Sequence, residues 1–219
     1  MSESRASRPD ELADFAGRVS HDLKNPLSAI TMSLEMAREE ASDLGLDDHA
    51  LGSLLERAAR GAARLQGMID DLHDYALAGT PSEVGPVDLA VLVGELDAAL
   101  PTTDELPVAG DADQLRLVLR HLVGNAATHT RPGRPTTVTV TASRASDTCR
   151  VEVTDDGRGV PEADRERVFE PMVRLDTTVL GTGLGLATCR RVVEAHGGRI
   201  GLGEAAGGGT VAWFELPAG

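Results

Sequence analysis

His21 stands in the surroundings best suited to chemistry in this 219-residue chain. Val19, Leu23, Leu27, Ile30 and Leu34 recur at spacings of three and four, the pattern of one apolar helix stripe. At about 100° per residue, His21 falls roughly 160° from the centre of that stripe, on the solvent side. Asn25 lies one turn further along the same exposed face, and Asp22 flanks the stripe. Pro26 is out of place inside a helix: it removes a backbone hydrogen bond and crowds the Asp22 carbonyl, costing about 3 kcal/mol. An exposed histidine is usually inert. One followed by an acid, an amide a turn later and a helix-breaking proline is less ordinary. Its neutral imidazole offers a nucleophilic nitrogen near neutral pH, and the adjacent carboxylate can accept the proton of the other ring nitrogen. Downstream, glycines cluster at 157–159, 181–185, 197–198 and 207–209, a density that suggests loops bent around something.

The elements that must position these residues fall into two grammars. Residues 10–78 read as helix: the first stripe runs from Leu12 and Phe15 to Ala37 and Ala41. SDLGLDD at 42–48 interrupts it, and a second stripe runs through Leu51, Leu55, Ala58, Ala62, Leu65, Ile69, Leu72 and Ala76. Two such helices with a short connection make an antiparallel hairpin. A lone hairpin cannot bury both stripes, so a homodimeric four-helix bundle is expected. GTPSEVGPVD at 79–88 breaks the period and reads as a linker. Beyond it the spacing predicts helices near 88–100, 111–128, 161–170 and 183–196. Strands are expected at 106–109, 136–143, 149–155, 198–203 and 209–216.

Composition sets the bounds. With 41% apolar but 2% aromatic residues, the core must be aliphatic. A net charge of −14 argues against nucleic-acid or anionic-membrane partners, though not against a single nucleotide held by local groups. No apolar run approaches the ~20 residues needed to span a bilayer. The polar start MSESRASRPDE does not resemble a signal peptide, so a cytoplasmic location is expected. Cys149 and Cys189 lack any paired spacing and read as buried thiols. His49, His73 and His196 belong to no constellation and read as structural or solvated.

VSHDLKNPLSAI at 19–30 resembles the H-box of the sensor histidine kinases, whose pattern is roughly S-H-[DE]-[LI]-[RK]-x-P-L. The resemblance implies that His21 is a phosphoacceptor and that residues 1–78 form the dimerisation and phosphotransfer domain. Asp22 would hold the reactive tautomer. DLKN also resembles the acid-x-x-[TN] pattern that the family associates with dephosphorylating its regulator, which would be the role of Asn25. A solvated polar residue before Pro26 is the plainer reading of Asn25.

Five further segments resemble the same family's ATP domain, in the family's order. LRHLVGNAATHT at 119–130 resembles the N-box, where the Asn125 carboxamide would help hold Mg²⁺. VTDDGRGV at 153–160 resembles the DxGxG box: Asp155 would accept the adenine amine, and Gly157 and Gly159 would let the backbone approach the base. RVFEPMVR at 167–174 resembles the F-box, with Phe169 near the lid and Arg174 available to the phosphates. GTGLGLAT at 181–188 resembles the second glycine box, where Gly181, Thr182, Gly183, Leu184 and Gly185 open a helix whose N–H groups favour phosphate. GGGTVAWFELP at 207–217 resembles the closing glycine box, with Thr210 reaching the base region through water. Taken singly, each segment is also an ordinary turn, helix end or surface residue; the shared order is what carries the resemblance.

The implied fold class is α+β. A helical hairpin forming a dimeric four-helix bundle is followed by a Bergerat-type α/β sandwich over 84–219, shared with gyrase-type and heat-shock-type ATPases. No GxxxxGK[ST] follows a strand, so a P-loop fold is not implied. The implied function is autophosphorylation of His21 from ATP and transfer to an aspartate of a response-regulator receiver domain. Four departures stand against the family pattern: His121 where a second Asn is frequent, Thr128 where a basic residue is usual, His129 where an aromatic is common, and a short lid, LDTTVL, without Lys or Arg. They leave a second reading, a degenerate ATP-binding dimer acting as a scaffold or mainly as a phosphatase. Only about ten residues precede the first helix, so a sensor module is expected elsewhere or in a partner.

Overall fold

The computed structural model describes residues 8–46, 50–96, 106–131, 133, 136–176 and 181–219, in two compact units, Met1–Ala76 and Leu77–Gly219. In the first unit, α1 spans Arg8–Asp43 and α2 starts at Ala50, running to Leu77 at the head of the second unit. Of the interrupting segment read at 42–48, residues 47–49 lie outside the described residues. α1 is continuous across Pro26. The hairpin closes on a small cluster of Leu27, Ala62 and Ile69, with Leu34 packed against it. Lys24 Nζ reaches Asp70 Oδ1 across the helices at 3.3 Å. Other stripe residues are uncovered: Leu23, Ile30 and Leu65 are 45%, 53% and 52% exposed. The hairpin thus leaves part of its apolar stripes bare.

The second unit is built on a four-stranded antiparallel sheet of order β3-β4-β6-β5, from β3 (Val138–Ala145), β4 (Thr148–Asp155), β5 (Arg199–Glu204) and β6 (Thr210–Pro217). α4 (Ala112–Thr128) and α5 (Gly185–Ala195) pack on it, and α3 (Leu89–Gly94) contacts α4 and β3. Their shared core is Leu, Val and Ala with both cysteines and Phe214, the aliphatic interior that the composition requires. Burying each Leu or Val there is worth about 1.5–3 kcal/mol. α4 begins where Asp111 accepts the N–H groups of Asp113 and Gln114, a side-chain cap of the usual kind.

Several sequence expectations need correction. A two-stranded ribbon, β1 (Gly85–Asp88) with β2 (Pro107–Gly110), occupies ground read partly as linker. Its Pro86 and Gly85 hid a strand that tolerates them because β1 pairs on one side only. The helix expected at 161–170 is two single 3₁₀ turns, Glu162–Asp164 and Arg167–Phe169. Pro161 precedes the first and Pro171 follows Glu170, whose ψ of 142° is extended, as a residue before proline requires. The helix expected at 88–100 is described only as Leu89–Gly94, and residues 97–105 lie outside the described residues. No helix among the described residues is long and apolar enough to cross a membrane.

Candidate functional site

In the hairpin unit, the helical period turns His21 outward as the stripe geometry requires. Its side chain is 81% exposed and that of Asp22 82% exposed. His21 Nδ1 lies 3.2 Å from Asp22 Oδ1. With Asp22 ionised, this contact favours a proton on Nδ1 and leaves the Nε2 lone pair facing solvent. Asn25 and Pro26 are exposed on the same helix, whereas Ser20 is fully buried. Ser28 Oγ donates to the Lys24 carbonyl at 2.9 Å, beside the place where Pro26 contributes no N–H.

In the second unit the strand alternation of β4 does the placing. Cys149, Val151 and Val153 point inward, and Asp155 takes the next inward position at the strand end. Its Oδ1 accepts the N–H of Gly157 at 2.8 Å and of Thr210 at 3.2 Å. Oδ2 has no partner among the described residues, which leaves one carboxylate oxygen for a ligand amine. Thr210 therefore meets Asp155 through its backbone.

The glycines of this region owe much of their role to loop-on-loop packing. A Cβ on Gly157 would stand 2.4 Å from the His129 carbonyl oxygen, and one on Gly209 would stand 2.0 Å from the Asp155 carbonyl oxygen. Gly159, at φ +75°, sits where a Cβ would approach the Gly208 carbonyl oxygen at 2.9 Å. No side chain fits between these loops.

α4 is the wall that joins the glycine loops. His121, Asn125 and His129 follow one another at intervals of four and share a face. A Cβ on Gly185, at the start of α5, would lie 3.1 Å from His121 Nδ1. At the other end, the His129 carbonyl accepts the Arg158 N–H at 3.2 Å. Asn125 lies between them, half-buried, its carboxamide without a hydrogen bond among the described residues. The second glycine loop is pinned in turn: Met172 N–H donates to the Gly183 carbonyl at 3.0 Å, and Gly183 has φ +75°. The Thr182 hydroxyl accepts the Leu184 N–H at 3.2 Å. The Leu184 side chain is buried, so this residue contributes packing. Gly181 is exposed at the near end of the lid, whose residues 177–180 lie outside the described residues. Arg174 donates to the Asp176 carbonyl at 3.4 Å, and Phe169 is buried beneath the Arg190 guanidinium.

Sequence reasoning passed over two residues at this site and one at the far end of α4. Arg131 donates from Nε to the Gly157 carbonyl at 2.8 Å and from Nη2 to the Gly207 carbonyl at 2.9 Å. Arg158 donates to the Thr130 carbonyl at 2.9 Å and pairs with Asp176 at 2.5 Å. Asp111 ties the preceding segment to α4, its Oδ2 accepting the N–H and hydroxyl of Ser82 at 3.0 and 3.1 Å. Burial alone would raise the Asp111 carboxyl, but hydrogen bonds from Ser82, Gln114 and Glu83 outweigh it and hold it down to about 2. His196, read as structural, accepts the Asp111 N–H at Nε2 over 2.9 Å. Among the described residues, no three His, Cys, Asp or Glu side chains gather where they could hold a metal ion.

Residues 110–219 match the family model described as histidine kinase-, DNA gyrase B- and HSP90-like ATPase, and residues 11–81 match the His kinase A (phospho-acceptor) domain. The chain is 34% identical to sensor histidine kinase AruS of Pseudomonas aeruginosa, over 97% of this chain and 24% of that one. It is 32% identical to the adaptive-response sensory kinase SasA of a Synechococcus species, over 99% of this chain and 63% of that one. It thus spans less than two thirds of the length of these curated relatives. Among solved structures it resembles full-length ShkA in complex with AMPPNP, with TM-score 0.70 and 30% identity over 96% of this chain and 46% of that one. It also resembles the catalytic domain of histidine kinase ThkA, with TM-score 0.56 and 30% identity over 63% of this chain and 97% of that one.

Proposed function

The chain belongs to the sensor histidine kinases of two-component signal transduction, and on that premise we propose that it autophosphorylates His21 from ATP and passes the phosphoryl group to a response-regulator aspartate. The observation that carries this reading is the exposed His21 with its Nδ1 on Asp22, since it leaves Nε2 as an accessible nucleophile. The Nε2 lone pair forms the bond to the γ-phosphorus as the bond to the β,γ-bridging oxygen breaks, and ADP leaves. Asp22 stabilises the positive charge that develops on the ring and receives the Nδ1 proton. Asn25, an amide with no proton-accepting strength, instead positions water for hydrolysis of the regulator's acyl phosphate. Slower regulator dephosphorylation by Asn25→Ala, with His21 labelling retained, is the expected sign of that role, and unchanged dephosphorylation would remove it.

The nucleotide is held in 84–219, with Asp155 Oδ2 accepting the adenine amine and the first turn of α5 after Gly181–Gly185 facing the phosphates. Arg174 supplies a cation near them. Mg²⁺ suits the Asn125 carboxamide oxygen on α4: this ion keeps few protein ligands and takes most of its shell from phosphate and water. It would neutralise phosphate charge when bound. Residues 1–78 form the dimerisation domain, and the partners are a second copy and a receiver domain. The relatives' kinase names weigh against the degenerate-scaffold reading.

Calorimetry with Mg-ATP tests the nucleotide half. Asp155→Asn should weaken binding about tenfold or more by removing a charged hydrogen-bond acceptor. Asn125→Ala should weaken it only when Mg²⁺ is present. Parent-like binding by both variants would contradict the assignment.

A further inference from the structure

We propose that Arg131 is a positioning residue for adenine recognition, a forked brace that fixes Asp155 by clamping the two glycine loops beside it. The inference rests on the nucleotide reading above. The loops at 157–159 and 207–209 leave the paired ends of β4 and β6 and meet where Gly159 lies against the Gly208 and Gly209 carbonyls, with no room for a Cβ. Glycine gives the backbone of both loops wide freedom. Two side chains bridge this region. One is Asp155 Oδ1, between the N–H groups of Gly157 and Thr210. The other is Arg131, between the carbonyls of Gly157 and Gly207.

The Gly157 residue is consequently gripped from both sides. Its N–H holds the Asp155 carboxylate at 2.8 Å, and its carbonyl is held by Arg131 Nε at 2.8 Å. If Arg131 is lost, the Gly157 carbonyl is released, the Gly157 N–H can turn away, and the carboxylate loses the shorter of the two bonds that orient it. A guanidinium suits this task because its Nε–H and Nη–H groups form a rigid fork; an ammonium on a flexible stem cannot reproduce both directions. Asp155 meets the base, whereas Arg131 acts through Asp155.

The experiment compares ADP with inosine diphosphate, which lacks the exocyclic amine, by calorimetry on the full chain with Mg²⁺. Parent, Arg131→Ala, Arg131→Lys and Asp155→Asn are measured side by side. The brace predicts that Arg131→Ala weakens ADP about tenfold and inosine diphosphate less than about threefold, so the preference for adenine falls. Arg131→Lys should fall nearly as far, and it carries the test alone if the alanine variant does not fold. An equal loss for both nucleotides, or an unchanged preference, overturns the brace. A preference that Asp155→Asn loses and both Arg131 variants keep overturns the brace alone. A parent without preference, or an Asp155→Asn variant that keeps it, overturns the nucleotide reading and the inference with it.

Discussion

At the scale of single residues, Asp111 shows how a carboxylate outside the proposed site can stabilise the unit that carries it. It caps α4, accepts the Ser82 N–H and hydroxyl, and donates its own N–H to His196 Nε2. Its carboxyl sits at about 2 against an ordinary 3.8, so its contribution is fully present above about pH 4 and lost as pH falls through about 2. That difference amounts to about 2 kcal/mol. Asp111→Asn should therefore lower stability at neutral pH by about that amount and flatten the loss between pH 4 and 2. Urea titrations followed by fluorescence of Trp213, the chain's one tryptophan, read this directly. An asparagine variant with the parent's acid slope would show that the carboxylate is not the titrating group. Neither Asp111 nor Arg131 was legible in the sequence as a functional partner. Beyond the local cap that Asp111 makes, their contacts run to Ser82, His196, Gly157 and Gly207, far along the chain, and no spacing rule records those.

At the scale of elements, legibility followed periodicity. α1, α2, α4 and α5 carry apolar residues at helical spacing and could be read to within a few residues. β4 and β6 alternate and were as plain. The failures lie at prolines and run in opposite directions: proline and glycine were read as punctuation in β1, and an amphipathic look outweighed the flanking prolines at 161–171. The stripe also could not reveal which of its residues the hairpin covers itself. Leu65 is exposed, whereas Ile69 is 7% exposed within the hairpin cluster. Leu65→Glu should therefore leave the helices formed and split the proposed dimer, while Ile69→Glu should unfold the hairpin. Light scattering and circular dichroism separate these outcomes, and a Leu65→Glu chain that remains dimeric would place the interface elsewhere.

At the scale of the whole molecule, the two units carry the two halves that the proposed reaction needs: an exposed imidazole on α1, and glycine loops around Asp155 and Asn125 in the second unit. The motif order made the family legible before any coordinates, and it supplied the residue types from which the proposed site is built. On the proposed reading, the departures at Thr128 and in the lid should slow transfer, since neither offers a basic residue to neutralise phosphate charge. The most direct test of the account is incubation of the chain with γ-labelled ATP and Mg²⁺, followed by acid and base treatment of the labelled protein. The account predicts label on the parent that is lost in acid and kept in base, as for a phosphorus–nitrogen bond to His21, and no label on His21→Ala. An unlabelled parent, label that survives acid, or label that persists on His21→Ala would contradict it.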